Sequence, residues 1–139
     1  MQLRKDFLRN NDLGLLVLRL STGGLLLFHG VSKLIHGVGP IGQMLAAMGL
    51  PSFIAYGTLL IEFVAALILI LGAWTRVAAA AIVFNMIVAI LMAHLPVFFS
   101  LTPEGGWALE LPMLYLLPAL ALVFTGGGRY ALTHNNICS

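Results

Sequence analysis

Four apolar stretches, at about 13–35, 53–73, 77–95 and 107–125, constrain this chain more than anything else in it. A helix crossing roughly 30 Å of hydrocarbon needs about 20 apolar residues, and each stretch is read as one crossing. The predicted fold is all-α: a polytopic membrane protein, a four-transmembrane-helix bundle, with residues 1–139 forming a single domain. Only 9% of the residues are charged, 60% are hydrophobic and the mean hydropathy is +1.03. A soluble domain is about a quarter charged, so the lipid bilayer is the expected solvent of most of this surface.

The net charge of +2 and the isoelectric point near 9.0 come from a few Lys and Arg near segment ends. No basic run interleaves with aromatics, and nucleic acid is not an expected partner. Cys138 is the single cysteine, which gives neither an intramolecular disulfide nor a Cys-x-x-Cys pair. The N-terminal basic residues followed by an apolar run resemble a secretory signal, but Leu13 to Ile35 is too long for the usual apolar core of one, so it is read as a retained helix.

The connections are as informative as the spans. Gly37-Val38-Gly39-Pro40 and Gly49-Leu50-Pro51 break helix on either side of an amphipathic stretch from Ile41 to Met48. That stretch is predicted to be a short interfacial helix, and the loop from Ile35 to Phe53 to cover the outer mouth of the bundle. Ala73-Trp74-Thr75-Arg76 joins the second and third spans tightly, making them antiparallel neighbours. Basic residues near helix ends are retained on the cytoplasmic side. Arg4, Lys5, Arg9, Arg76 and Arg129 share one side of an even-numbered topology, which predicts that both termini are cytoplasmic. Trp74 and Trp107, at opposite faces, fit interfacial anchors.

Ionisable residues inside spans are costly and usually face the bundle interior or a watery cavity. His29 and Lys33 lie in the outer half of the first span, Glu62 near the middle of the second, His94 at the end of the third and Glu110 at the start of the fourth. At about 100° per residue, Thr22, His29, Lys33 and His36 form one stripe that is expected to face the bundle. Glu62 shares its side of the second span with Thr58, Ala65 and Ala66, small enough for close helix approach, and contact with His29 or Lys33 is expected. The candidate ligand-binding set is His29, Lys33, Glu62, His94 and Glu110. A bland alternative stands beside it, since polar pairs also hold membrane helices together without chemistry. Glu110 is equally a helix-start residue favoured by the dipole, and for His94, near an interface, a merely wet position is the favoured reading. Asn85 lies nine residues before His94 and so on the opposite helical face. Arg19 is read as snorkelling to phosphates or bonding between helices, and Pro112 and Pro118 as mild kinks. His29, His36 and His94 match no compact ligand motif, so no metal site is assigned.

Leu18-Arg19-Leu20 with Gly23-Gly24, Phe28-His29-Gly30-Val31-Ser32-Lys33-Leu34, Gly49-Leu50-Pro51, Glu62, Leu71-Gly72-Ala73-Trp74-Thr75-Arg76 and Gly128-Arg129-Tyr130 together resemble the DoxX family of small bacterial inner-membrane proteins. Gly126-Gly127-Gly128 stands where that family has a Gly-Pro-Gly-like turn. The resemblance implies a bacterial inner membrane and a link to quinone or sulfur redox chemistry, since the family's name comes from a subunit associated with thiosulfate:quinone oxidoreductase. The leading reading is a membrane redox accessory, associated with an oxidoreductase, that binds a quinone-like or other amphipathic small molecule among the helices. Without a flavin or haem motif or a cysteine pair, electrons would come from the bound molecule or from a partner membrane protein or second copy. A small permease or proton-coupled carrier and a purely structural subunit remain open alternatives.

Overall fold

The computed structural model describes residues 9–133 and 138–139, excepting the side chains of Ala93 and His94. Arg4 and Lys5 lie outside the described residues. The described residues are helical apart from connections and one isolated bridge between Leu101 and Trp107. Helix α1 runs over Asn11–His36, α2 over Gly39–Ala47, α3 over Ile54–Leu71, α4 over Thr75–Met92 and α5 over Glu110–Thr125.

Helices α1, α3 and α4 are long and apolar enough to cross a membrane. Helix α5 has 16 residues, or about 24 Å at 1.5 Å per residue, short of a full hydrocarbon core. The sequence predicts helix from residue 107, but the chain turns there instead. Thr102 N–H donates to the Gly106 carbonyl at 2.6 Å, Gly105 takes φ +90°, and Leu101 bridges to Trp107. Pro112 sits in the first turn of α5, where a missing N–H leaves no helical bond unmade.

The start of α1 is set by Asn10, whose side-chain oxygen accepts from the Leu13 N–H at 3.0 Å. Asp12 lies in the same turn and its Oδ1 accepts from the Arg129 N–H at 3.0 Å, holding the start of α1 against the segment that follows α5. Between α3 and α4 the turn is made by two left-handed residues on either side of Ala73, Gly72 (φ +76°) and Trp74 (φ +46°). A Cβ at Gly72 would strike the Arg19 guanidinium and Ala131.

The core is a seam of alanines with larger residues between them. Ala66, Ala79 and Ala119 are fully buried, and Leu26, Leu69, Ile82 and Leu122 fill the gaps they leave. Small residues at crossings are how helices approach in lipid, where no hydrophobic drive between them exists. The outside is equally apolar: Phe28, Phe84 and Phe124 are 75%, 63% and 75% exposed. A helix apolar all round belongs in a membrane. A second small core, of Val38, Leu45 and Ala55 with Ile41 and Met92 against it, seats α2 on the beginning of α3.

Candidate functional site

The site is made possible by two glycines on α1. A Cβ at Gly23 would lie 2.9 Å from the Ala66 carbonyl oxygen, and one at Gly30 would lie 3.0 Å from Phe63 Cα and 3.1 Å from the Glu62 carbonyl. Backbone therefore meets backbone along the α1–α3 crossing. At that crossing α3 widens into a π-helical turn over Ile61–Ala65. Such turns are rare and occur mostly at functional sites, and this one carries Glu62.

Glu62 is 6% exposed, near the middle of α3. Its Oε1 accepts from Lys33 Nζ at 2.6 Å and from Asn85 Nδ2 at 3.2 Å. One carboxylate oxygen thus ties α1, α3 and α4 together. Its other oxygen, Oε2, is buried without a hydrogen-bond partner. Lys33 is less sheltered than its partner, with 22% of its side chain exposed against 8% for Glu62.

Two cavities flank this triad. The larger, about 380 Å³, is walled by Glu62, His29 and Tyr115 on its polar side and by Leu26, Met86 and Pro112 on its apolar side. His29 and Tyr115 meet edge to face with ring centroids 5.6 Å apart. His29 and Leu111, both wall residues, are exposed, so the cavity gives onto the outer surface at the α1–α5 seam, at membrane depth. The smaller cavity, about 160 Å³, is lined by Lys33, Glu62 and Asn85, with Ile41 and Met44 of α2 above them.

The other sequence candidates are placed as follows. His29 shares the larger cavity with Glu62 but is exposed, not buried. The stripe expected to face inward does so only in part: Thr22 is buried and Lys33 half-buried, whereas His29 and His36 are exposed. The buried face of α1 runs through Arg19, Thr22, Gly23, Leu26 and Gly30, so the two histidines fall at its edge. His36 Nδ1 lies 3.0 Å from the Ser32 carbonyl oxygen of its own helix. Glu110 is exposed and lines a separate cavity with Trp107 and Pro118, apart from Glu62. The His94 side chain lies outside the described residues.

Two further polar residues bind between helices. Asn85, read only by its angle to His94, is 3% exposed and binds Glu62. Arg19 takes the second of its two expected roles, bonding between helices and not snorkelling: it is fully buried, and donates from Nε to the Gly127 carbonyl at 3.1 Å and from Nη1 to the Leu69 and Ile70 carbonyls at 3.2 Å each. It satisfies the carbonyls at the C-terminal end of α3, where a cation is favoured.

An all-helical membrane protein with a buried, ion-paired carboxylate beside an apolar cavity is the class these features define. Residues 14–95 match the DoxX family, and the chain belongs to it. It is 34% identical over 121 residues to CatD of Bacillus subtilis strain 168, named "Putative oxidoreductase CatD", covering 87% of this chain and 85% of that one. A protein of Haemophilus influenzae whose name assigns no function is 33% identical over 119 residues, covering 83% and 84%. No solved structure matches.

Proposed function

We propose that this protein is a redox accessory of the bacterial inner membrane that binds a quinone-like amphipathic molecule in the cavity between α1 and α5. The observation that carries the reading is the buried, unpartnered Oε2 of Glu62, a residue that, with His29 and Tyr115, supplies the polar side of a mainly apolar cavity of about 380 Å³. Small-molecule sites have this volume range and this pattern of an apolar lining with a few convergent polar groups. Leaving a buried acceptor unsatisfied costs about 1–3 kcal/mol, which a bound donor recovers. Ring-bearing ligands fit beside His29 and Tyr115, and a long apolar tail fits the opening at the α1–α5 seam. The relative whose name is "Putative oxidoreductase CatD" supports redox chemistry. In this reading the bound molecule carries the electrons, while the protein binds it, orients it and keeps it from bulk water.

An even number of crossings with cytoplasmic termini belongs to the same proposal. Arg76 N–H donates to the Cys138 carbonyl, Arg129 sits beside Asp12, and all lie at the end of the bundle where α1 starts and α5 finishes. Basic residues gathered there favour a cytoplasmic assignment.

Solvent extraction of the gently purified protein, followed by mass spectrometry, tests the ligand. A co-purified quinone or quinol that is lost in Glu62→Leu supports the reading. Extracts of wild type matching those of empty detergent micelles refute it. A proton-coupled carrier is favoured by one observation, the position of Glu62 in the walls of both cavities. Proton uptake by proteoliposomes that is abolished in Glu62→Gln would select it instead.

A further inference from the structure

We propose that the cavity discriminates between the redox forms of its ligand, binding the hydroxyl-bearing quinol in preference to the quinone. The inference rests on the ligand class proposed above and concerns the polarity of the hydrogen bonds that class can make. An ionised carboxylate only accepts. In Glu62 the two available protein donors, Lys33 Nζ and Asn85 Nδ2, both converge on Oε1. Oε2 is left with its acceptor sites empty, in a residue that forms part of the cavity wall. A quinol hydroxyl donates to such an oxygen after a small side-chain displacement, and a hydrogen bond to a charged group is the stronger kind. A quinone carbonyl brings a second acceptor to the same place, where the two oxygens repel.

Among the described residues, the other polar side chains lining this cavity, His29 and Tyr115, do not impose a preference. A neutral imidazole and a phenol each both donate and accept, and so serve hydroxyl and carbonyl alike. Lys33, which only donates, is engaged by Glu62 and lines the smaller cavity. The fixed polarity of the larger site is that of the carboxylate.

The substitution Glu62→Gln turns this into a reversible sign. The amide oxygen is held where Oε1 stands, because Lys33 and Asn85 both donate there. The NH2 group then occupies the place of Oε2 and presents a donor. The preference should pass from quinol to quinone with almost no change of shape.

The test uses the full chain in lipid nanodiscs under anaerobic conditions, with a short-chain ubiquinol analogue, its oxidised quinone and its O,O-dimethyl ether. Binding is measured against protein-free nanodiscs to remove partitioning into lipid. Wild type is expected to bind the quinol at least about tenfold more tightly than the quinone or the ether, a modest share of what a charge-assisted hydrogen bond can supply. Glu62→Gln is expected to reverse the order of quinol and quinone. Equal binding of quinol and quinone by wild type overturns the discrimination but leaves the ligand class standing. Binding of none of the three overturns both. The ether keeps the ring and tail but cannot donate, so wild type alone decides the matter even if Glu62→Gln fails to fold.

Discussion

Replacing Lys33 by Met removes the cation from Glu62 while keeping a flexible apolar stem of similar length. For buried pairs, deleting one partner costs about 3–5 kcal/mol, whereas exposed pairs contribute about 0–1 kcal/mol. Glu62 lies near the buried limit, with 8% of its side chain exposed, and Lys33 between the two at 22%. Asn85 still donates to Oε1 in the variant and offsets part of the loss. An expected destabilisation of about 2–3 kcal/mol follows. Glu62→Met should cost a similar amount by stranding Lys33 and Asn85. The double variant should cost much less than the sum, because two apolar groups replace a pair that no longer needs satisfying. Hydrogen bonds between membrane helices average about 0.6 kcal/mol in such cycles and reach about 1.7, so a coupling above 2 kcal/mol identifies a charge pair and not merely a hydrogen bond. Unfolding of the four proteins in mixed micelles with increasing SDS, followed by circular dichroism, gives the cycle. Additive single effects, or a Lys33→Met cost below about 0.5 kcal/mol, would refute the reasoning.

Gly30→Ala should destabilise by about 1–3 kcal/mol because its Cβ meets backbone at 3.0–3.1 Å, whereas Gly24→Ala, whose Cβ meets nothing within 4 Å, should be neutral or slightly stabilising in the same SDS titration. Arg19→Met leaves the Leu69, Ile70 and Gly127 carbonyls without their donor and should cost about 2–4 kcal/mol. Arg19→Lys should recover little of it, since one ammonium cannot reproduce the planar fork; full recovery would sink that account. Reporter fusions should show both termini in the cytoplasm, and a periplasm-active reporter working at the C-terminus would overturn the even-numbered topology.

What could be read from the sequence, and what could not, divides along physical lines. The helices were legible because a bilayer makes length and apolarity nearly sufficient; Asn11–His36, Ile54–Leu71 and Thr75–Met92 fall within a few residues of their expected bounds. The late start of α5 was not, because the apolar run continues through Ala108 and Leu109 while the backbone there is already committed to the turn that pairs Leu101 with Trp107. Lys33 and Glu62 stood out because charge in a span is rare and has to be compensated. Asn85 did not, since an uncharged amide is cheap enough to be explained by its own helix and its angle to His94 is a relation within α4 alone, silent about α3. The face of α1 is legible only in part, for a related reason. A stripe drawn through polar residues assumes that polarity points inward, yet here Gly23 and Gly30 decide which side of α1 can touch α3, and they turn His29 and His36 toward the edge. Close approach is set by the absence of side chains, and an absence carries no polarity for a periodicity argument to find. The π turn at Ile61–Ala65 belongs with it. No proline or glycine interrupts that pentapeptide, so its widening is a property of the packed pair of helices and becomes visible only when both are present.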